Sequence, residues 1–102
     1  MRIPRHPTLI RRMRDARVRQ FVARGPPLAA SLGRQKGGWH VTLKVGGKTR
    51  TVFVPKALRK EVERSILEHR RLKRLLREIT LLQLALIRGH RRWAARRGTR
   101  RS

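Results

Sequence analysis

From Pro55 to Arg88 the chain runs thirty-four residues with no glycine or proline after the first, and apolar residues recur along it at helical spacing. Leu58, Val62, Ser65, His69, Leu72, Leu76, Ile79, Gln83 and Leu86 follow one another at alternating steps of four and three, the heptad spacing that keeps one seam of a helix toward a partner. The pattern predicts a long helix over 55–88, about 50 Å at ~1.5 Å per residue, opened by Pro55 and stopped by Gly89. Its second half, Ile79 to Ile87, reads ITLLQLALI and is apolar on nearly every side. A helix apolar all round is a buried one. So short a run falls well below the roughly 20 residues of a membrane span; the helix reads as a structural core helix of its own chain, with self-association through Ile79, Leu82 and Leu86 in a homodimer as the other reading.

Before this helix the period changes from 3.6 to two. Trp39, Val41, Leu43 and Val45 alternate with His40, Thr42 and Lys44; Gly46-Gly47 follows, and Lys48 to Val54 is a second β-rich run. Two such runs around a two-residue glycine turn predict a hairpin over 39–54. That turn sets Val45 opposite Lys48, Leu43 opposite Arg50, Val41 opposite Val52 and Trp39 opposite Val54, an apolar face for the long helix to cover. The other face pairs Lys44 with Thr49, Thr42 with Thr51 and His40 with Phe53.

Nearer the start, Thr8 suits the N-cap of a weakly amphipathic helix over 8–24, ended by Gly25-Pro26-Pro27. Residues 1–7 read as a basic arm, Leu28 to Leu32 as a short apolar stretch, and Gly33 to Gly38 as a basic, glycine-rich loop holding Arg34 and Lys36. The expected fold is therefore α+β, an N-terminal helix, a two-stranded antiparallel hairpin and a long C-terminal helix, forming one small domain over 8–90 with an Arg-rich tail at 91–102.

Charge decides what such a fold is for. Lysine and arginine number 29 against 5 acidic residues in 102, a net charge of +24 that repels itself unless a polyanion neutralises it. Arginine, whose planar fork suits phosphate and guanine edges, far outnumbers lysine. The expected partner is nucleic acid, and no signal or lipidation motif points to a membrane. Lys44, Lys48 and Arg50 gather at the hairpin, a ribbon of the kind that enters a major groove, with Arg34 and Lys36 nearby. The tail carries Arg91, Arg92, Arg96 and Arg97 around Trp93, which joins phosphate charge to an aromatic surface for stacking. There is no cysteine or tyrosine and a single aspartate, Asp15, while the glutamates lie among arginines on one helix and His6, His40, His69 and His90 are scattered. Neither an acid/base pair nor a metal-ligand set is legible, so catalysis and cofactors are not expected. Docking on a partner protein through the long helix, and RNA in place of DNA, are the competing readings; the expected location is cytoplasmic.

The run HVTLKVGGKTRTVFVPKALRKEVERSILEHRRLKRLLREITLLQLALIRGH, His40 to His90, resembles a family of small basic prokaryotic proteins known only as a domain of unknown function. GKTRT, then VP, then a helix with HRRLKRLLREI carry the likeness, and PPLAASL at Pro26–Leu32 looks like that family's approach to its hairpin. Some relatives are recorded beside or within transposases, so the resemblance implies a mobile-element context and a transposon enzyme as a further partner. The family usually carries a cysteine cluster, CGxPxCxC, just before the hairpin; here Gly33 to Gly38 stands in its place, and no role of that cluster carries over.

Overall fold

The computed structural model describes the backbone of residues 1–98 and the side chains of residues 1–90. The order is α1 (Pro7–Gln20), β1 (Ser31–Gln35), β2 (Gly38–Val45), β3 (Lys48–Val54), a 3₁₀ turn (Lys56–Leu58) and α2 (Arg59–Gly98). The fold is α+β, but the sheet has three antiparallel strands in the order β1-β2-β3, where the sequence predicts two. Chain contacts divide it into two compact units, Ala23–Lys73 and Met1–Val22 with α2 from Arg74 onward.

In the sheet-bearing unit the hairpin register is the expected one, with Trp39 paired to Val54, Val41 to Val52, Leu43 to Arg50 and Val45 to Lys48. Gly46 and Gly47 have φ of 58° and 80°, the double positive φ that a two-residue turn between twisted strands requires. The added strand, β1, pairs Leu32 with Val41 and Arg34 with Trp39, and returns to β2 through a tight turn at Lys36-Gly37. What reads as an apolar stretch and a loop is thus a strand and a turn. Its sequence SLGRQ has a single inward apolar residue and a central glycine, so a period of two scarcely registers. A side chain at Gly38 would be strained, since its φ is 142° and a Cβ would lie 3.0 Å from the Phe53 ring.

Val41, Val54 and Ile66 form the core of this unit, with Leu28, Ala30, Leu32, Trp39, Leu43 and Val62 packed around them. The apolar sheet face does lie on α2, and the Arg59 guanidinium sits 5.1 Å from the centre of the Trp39 ring. The approach to the sheet is pinned by backbone: Leu28 N–H donates to the Ser65 carbonyl at 2.9 Å.

In the helical unit α1 begins one residue earlier than expected and ends four earlier. Pro7 occupies the first turn, where no N–H is needed, and the cap is His6, whose Nδ1 accepts from the Thr8 N–H at 3.2 Å. The early end has a physical cause further along. Arg24 N–H donates to Glu68 at 2.5 Å, a bond it could not make while closing a helical turn, and the prolines after it favour extended backbone. Among the described residues, Ile10, Leu75 and Leu82 are the buried ones of this unit. Arg14 donates to Gln83 at 2.9 Å and Arg17 to Glu78 at 2.8 Å, so α1 runs antiparallel along α2.

Three expectations for the long helix need correction. Its first turn is 3₁₀, with Leu58 N–H bonded to the Pro55 carbonyl, and the α-helix starts at Arg59. At the other end Gly89 does not stop it; the residue has no positive φ and the helix continues to Gly98, because one exposed glycine costs only ~1 kcal/mol against the hydrogen bonds of a continuing helix. Nor does one heptad seam run its length. Leu58 and Leu76 are exposed at 46% and 53%, while Ile66, Leu75 and Leu82 are buried, each stretch being covered by its own unit.

Candidate nucleic-acid interface

The few carboxylates are largely engaged by arginine. Asp15 pairs with Arg14 at 3.0 Å, Glu63 with Arg59 at 3.6 Å, Glu68 with Arg71 at 2.7 Å and Glu78 with Arg17 at 2.8 Å. Glu68 is the most tightly held. Arg71 grips it through Nε and Nη2, and together with the Arg24 N–H this lowers its pKa from 4.5 to about 2; the Arg71 guanidinium is raised in return. These carboxylates therefore hold the fold, and among the described residues most cations are not paired with any of them.

The hairpin cations do not gather on one surface. Alternation along the strands puts Lys44 with Thr42, Thr49 and Thr51 on one face, and Lys48 and Arg50 on the face that carries Val41 and Val54, beyond the part that α2 covers. All three are exposed. Arg34 lies on β1 and not in a loop, and shares the apolar face through its pairing with Trp39, whereas Lys36 does lie in the connection, a tight turn with Gly37. On the polar face His40 meets Phe53 edge-on at 5.5 Å, and its Nδ1 is buried without a hydrogen-bond partner among the described residues. The tail side chains of Arg91, Arg92, Trp93, Arg96 and Arg97 lie outside the described residues.

The self-association residues change most. Leu82 is fully buried within its own chain, and Ile79 and Leu86 are half-buried with it. α1 covers this side of α2, as the Arg14–Gln83 and Arg17–Glu78 bonds show. The apolar residues left outward on this part of α2 are Leu76, Leu81, Leu84 and Ile87.

Two depressions of similar size in the sheet-bearing unit differ in charge. One, of about 610 Å³, is lined by Arg24, Arg64 and Arg71 together with Glu61 and Glu68, so its cations are matched by carboxylates. The other, of about 620 Å³, lies where β1 begins. Because Ser31 pairs with Thr42, β2 runs on through Leu43 to Val45 with no partner on that edge, leaving a notch. Lys44, His69, Arg70 and Lys73 line it with the hydroxyl residues Ser31, Thr42 and Thr49, and no carboxylate does. Charged and hydroxyl donors without an acidic neighbour are the groups that hold phosphate oxygens. A smaller depression in the helical unit, about 330 Å³, sets Arg5, Arg11 and His90 beside Ile10 and Leu86 and has no hydroxyl residue.

Sequence reading singles out Lys44 but misses Arg70 and Lys73. They sit in a helix crowded with arginine and lysine, and only their placement beside Ala29 to Ser31 marks them out. Among the described residues no group of His, Asp or Glu could hold a metal ion, and no helix is long and apolar enough to cross a membrane. Compared with protein-family models, curated proteins and solved structures, the chain matches none.

Proposed function

We propose that this chain is a non-catalytic nucleic-acid-binding protein, DNA being favoured over RNA, that serves as an accessory in a mobile-element context. The observation that carries the reading is the disposition of charge: four of the five acidic residues are engaged by arginines of the same chain, which leaves most of the 29 cations with no carboxylate to neutralise them. A polyanion supplies what the fold lacks. The exposed tip of the β2–β3 ribbon, with lysine and arginine around its glycine turn, suits a major groove, which is why DNA is favoured over the narrow major groove of RNA. The mobile-element context rests on the family resemblance alone.

The test is affinity against salt for the full chain, with labelled DNA and RNA duplexes of one sequence. Counterion release makes log K fall linearly with log salt, by ~0.9 per phosphate contact on DNA, and a slope of several units with DNA bound more tightly is expected. Binding that is weak and flat in salt would favour the rival reading, a subunit that docks on a partner protein through the outward residues Leu76, Leu84 and Ile87.

A further inference from the structure

The notch at the start of β1 has a combination found in neither of the other two depressions: fixed cations from two elements, hydroxyl residues from three strands, an unpaired strand edge and no carboxylate. We propose that it is a phosphate site, filled by phosphodiesters of a nucleic-acid backbone, in which Arg70 and Lys73 of α2 and Lys44 of β2 supply the charge. The proposal rests on the nucleic-acid reading and adds a place and a chemistry to it.

Arg70 and Lys73 lie three residues apart on α2, neighbours on one helix face, and both are exposed there, so their side chains reach solvent within the same depression. Lys44 approaches from the strand. Three charges within one concave surface focus their field on a shared anion more than the same charges scattered over a convex one. Ser31, Thr42 and Thr49 add donors that suit a phosphate oxygen and would be idle against an apolar partner. Contacts of this kind fix register on the backbone and carry no sequence information, so the notch would position the nucleic acid while leaving any choice of bases to other residues.

The carboxylate-matched depression on the same helix provides the control. Arg70→Ala/Lys73→Ala and Arg24→Ala/Arg64→Ala each remove two positive charges, but Arg24 and Arg64 line the depression that Glu61 and Glu68 also line. Anisotropy of a labelled 20-base-pair duplex across a potassium chloride series, with the full chain and with circular dichroism to show that both variants fold, compares them. The notch variant is expected to lose affinity on every sequence and to flatten the slope by about two, near 0.9 for each phosphate it no longer holds, and the control variant by well under one. Equal slopes for the two variants would overturn the notch while leaving nucleic-acid binding intact. If the wild-type chain binds no duplex, the nucleic-acid reading fails by itself, and titration with inorganic phosphate decides the site. Saturable shifts of the Ser31, Thr42 and Lys44 amides that the notch variant abolishes would keep a phosphate site there for free phosphate. No shift at those amides would end the proposal.

Discussion

The two units of this chain answer the same problem, a large excess of cations over a small amount of apolar surface, in different ways. In the helical unit two arginines of α1 work inward: Arg14 reaches Gln83 and Arg17 reaches Glu78, so charge joins two helices whose buried residues, among those described, are Ile10, Leu75 and Leu82. In the sheet-bearing unit strand pairing sets the geometry, three buried residues and six partly buried ones make the core, and several cations stay outward. Arginine is therefore not one thing along this sequence. Where a carboxylate or amide lies in reach it holds the fold, and where none does it is available to a ligand.

The sharpest way to break the comparison is through the buried leucine of the helical unit. Leu82 is fully buried, and Leu82→Ala is expected to cost ~2–5 kcal/mol, since it removes three heavy atoms from a site with nothing to replace them. Hydrogen exchange should show protection lost from the amides of α1 more than from those of β2 and β3, while Ile66→Ala does the reverse. Because Leu82 is covered by its own chain, the loss must not depend on protein concentration. A melting temperature that recovers as concentration rises would return Leu82 to an interface between copies.

How much of this is legible from sequence depends on where the determining information lies. The hairpin register follows from Gly46-Gly47, since a two-residue turn leaves one pairing and the alternation of Trp39, Val41 and Leu43 chooses its inner face. β1 is not legible, because Gly33 and Gln35 give no alternation and only pairing with Val41 and Trp39 makes the segment a strand. The existence of α2 follows from its spacing, but which of its residues are buried does not. A straight helix drifts ~20° per heptad, so burial is set by whichever element lies alongside, and here the expected Leu76 is outside while Leu75 is inside. The candidate site shows the same division. Lys44 can be singled out from its place near a turn, whereas Arg70 and Lys73 look like every other cation of the helix until the start of β1 is set beside them.

A middle-sized effect tests whether the carboxylates of the sheet-bearing unit are as structural as the geometry makes them. Glu68 accepts from Arg71 and from the Arg24 N–H, and its pKa falls from 4.5 to about 2. A carboxyl whose pKa is depressed by folding stabilises the folded state fully above its unfolded value, near 4.5, and loses that contribution as pH falls through the folded value, near 2. The difference in stability between wild type and Glu68→Gln should thus be level at neutral pH, begin to shrink below about pH 4.5 and nearly vanish by pH 2. Denaturant melts followed by Trp39 fluorescence, with Trp93 replaced by phenylalanine in both chains, would show it. A difference that stays constant down to about pH 2 would mean that Glu68 acts through something other than its charge.

The smallest effect has the opposite sign and bears on where the helical unit ends. The sequence makes Gly89 a helix stop, yet α2 continues through it, with no positive φ at that residue and nothing within 4 Å of where a Cβ would be. Those facts separate two accounts. A glycine that ends a helix in the left-handed region resists replacement, because any side chain there is strained, and Gly89→Ala would then destabilise. A glycine inside a helix with open space around it only adds conformational freedom to the unfolded chain, and alanine removes that freedom without a clash. Gly89→Ala is expected to stabilise the helical unit by ~0.5–1 kcal/mol, raising its melting temperature by roughly 2–8 °C, and to add helical signal in circular dichroism. Because the change lies far along the sequence from Lys44, Arg70 and Lys73, the affinity for a DNA duplex and its salt slope should not move. A lower melting temperature would instead place the end of α2 at Gly89, and the residues after it would then belong to the basic tail and not to the helix.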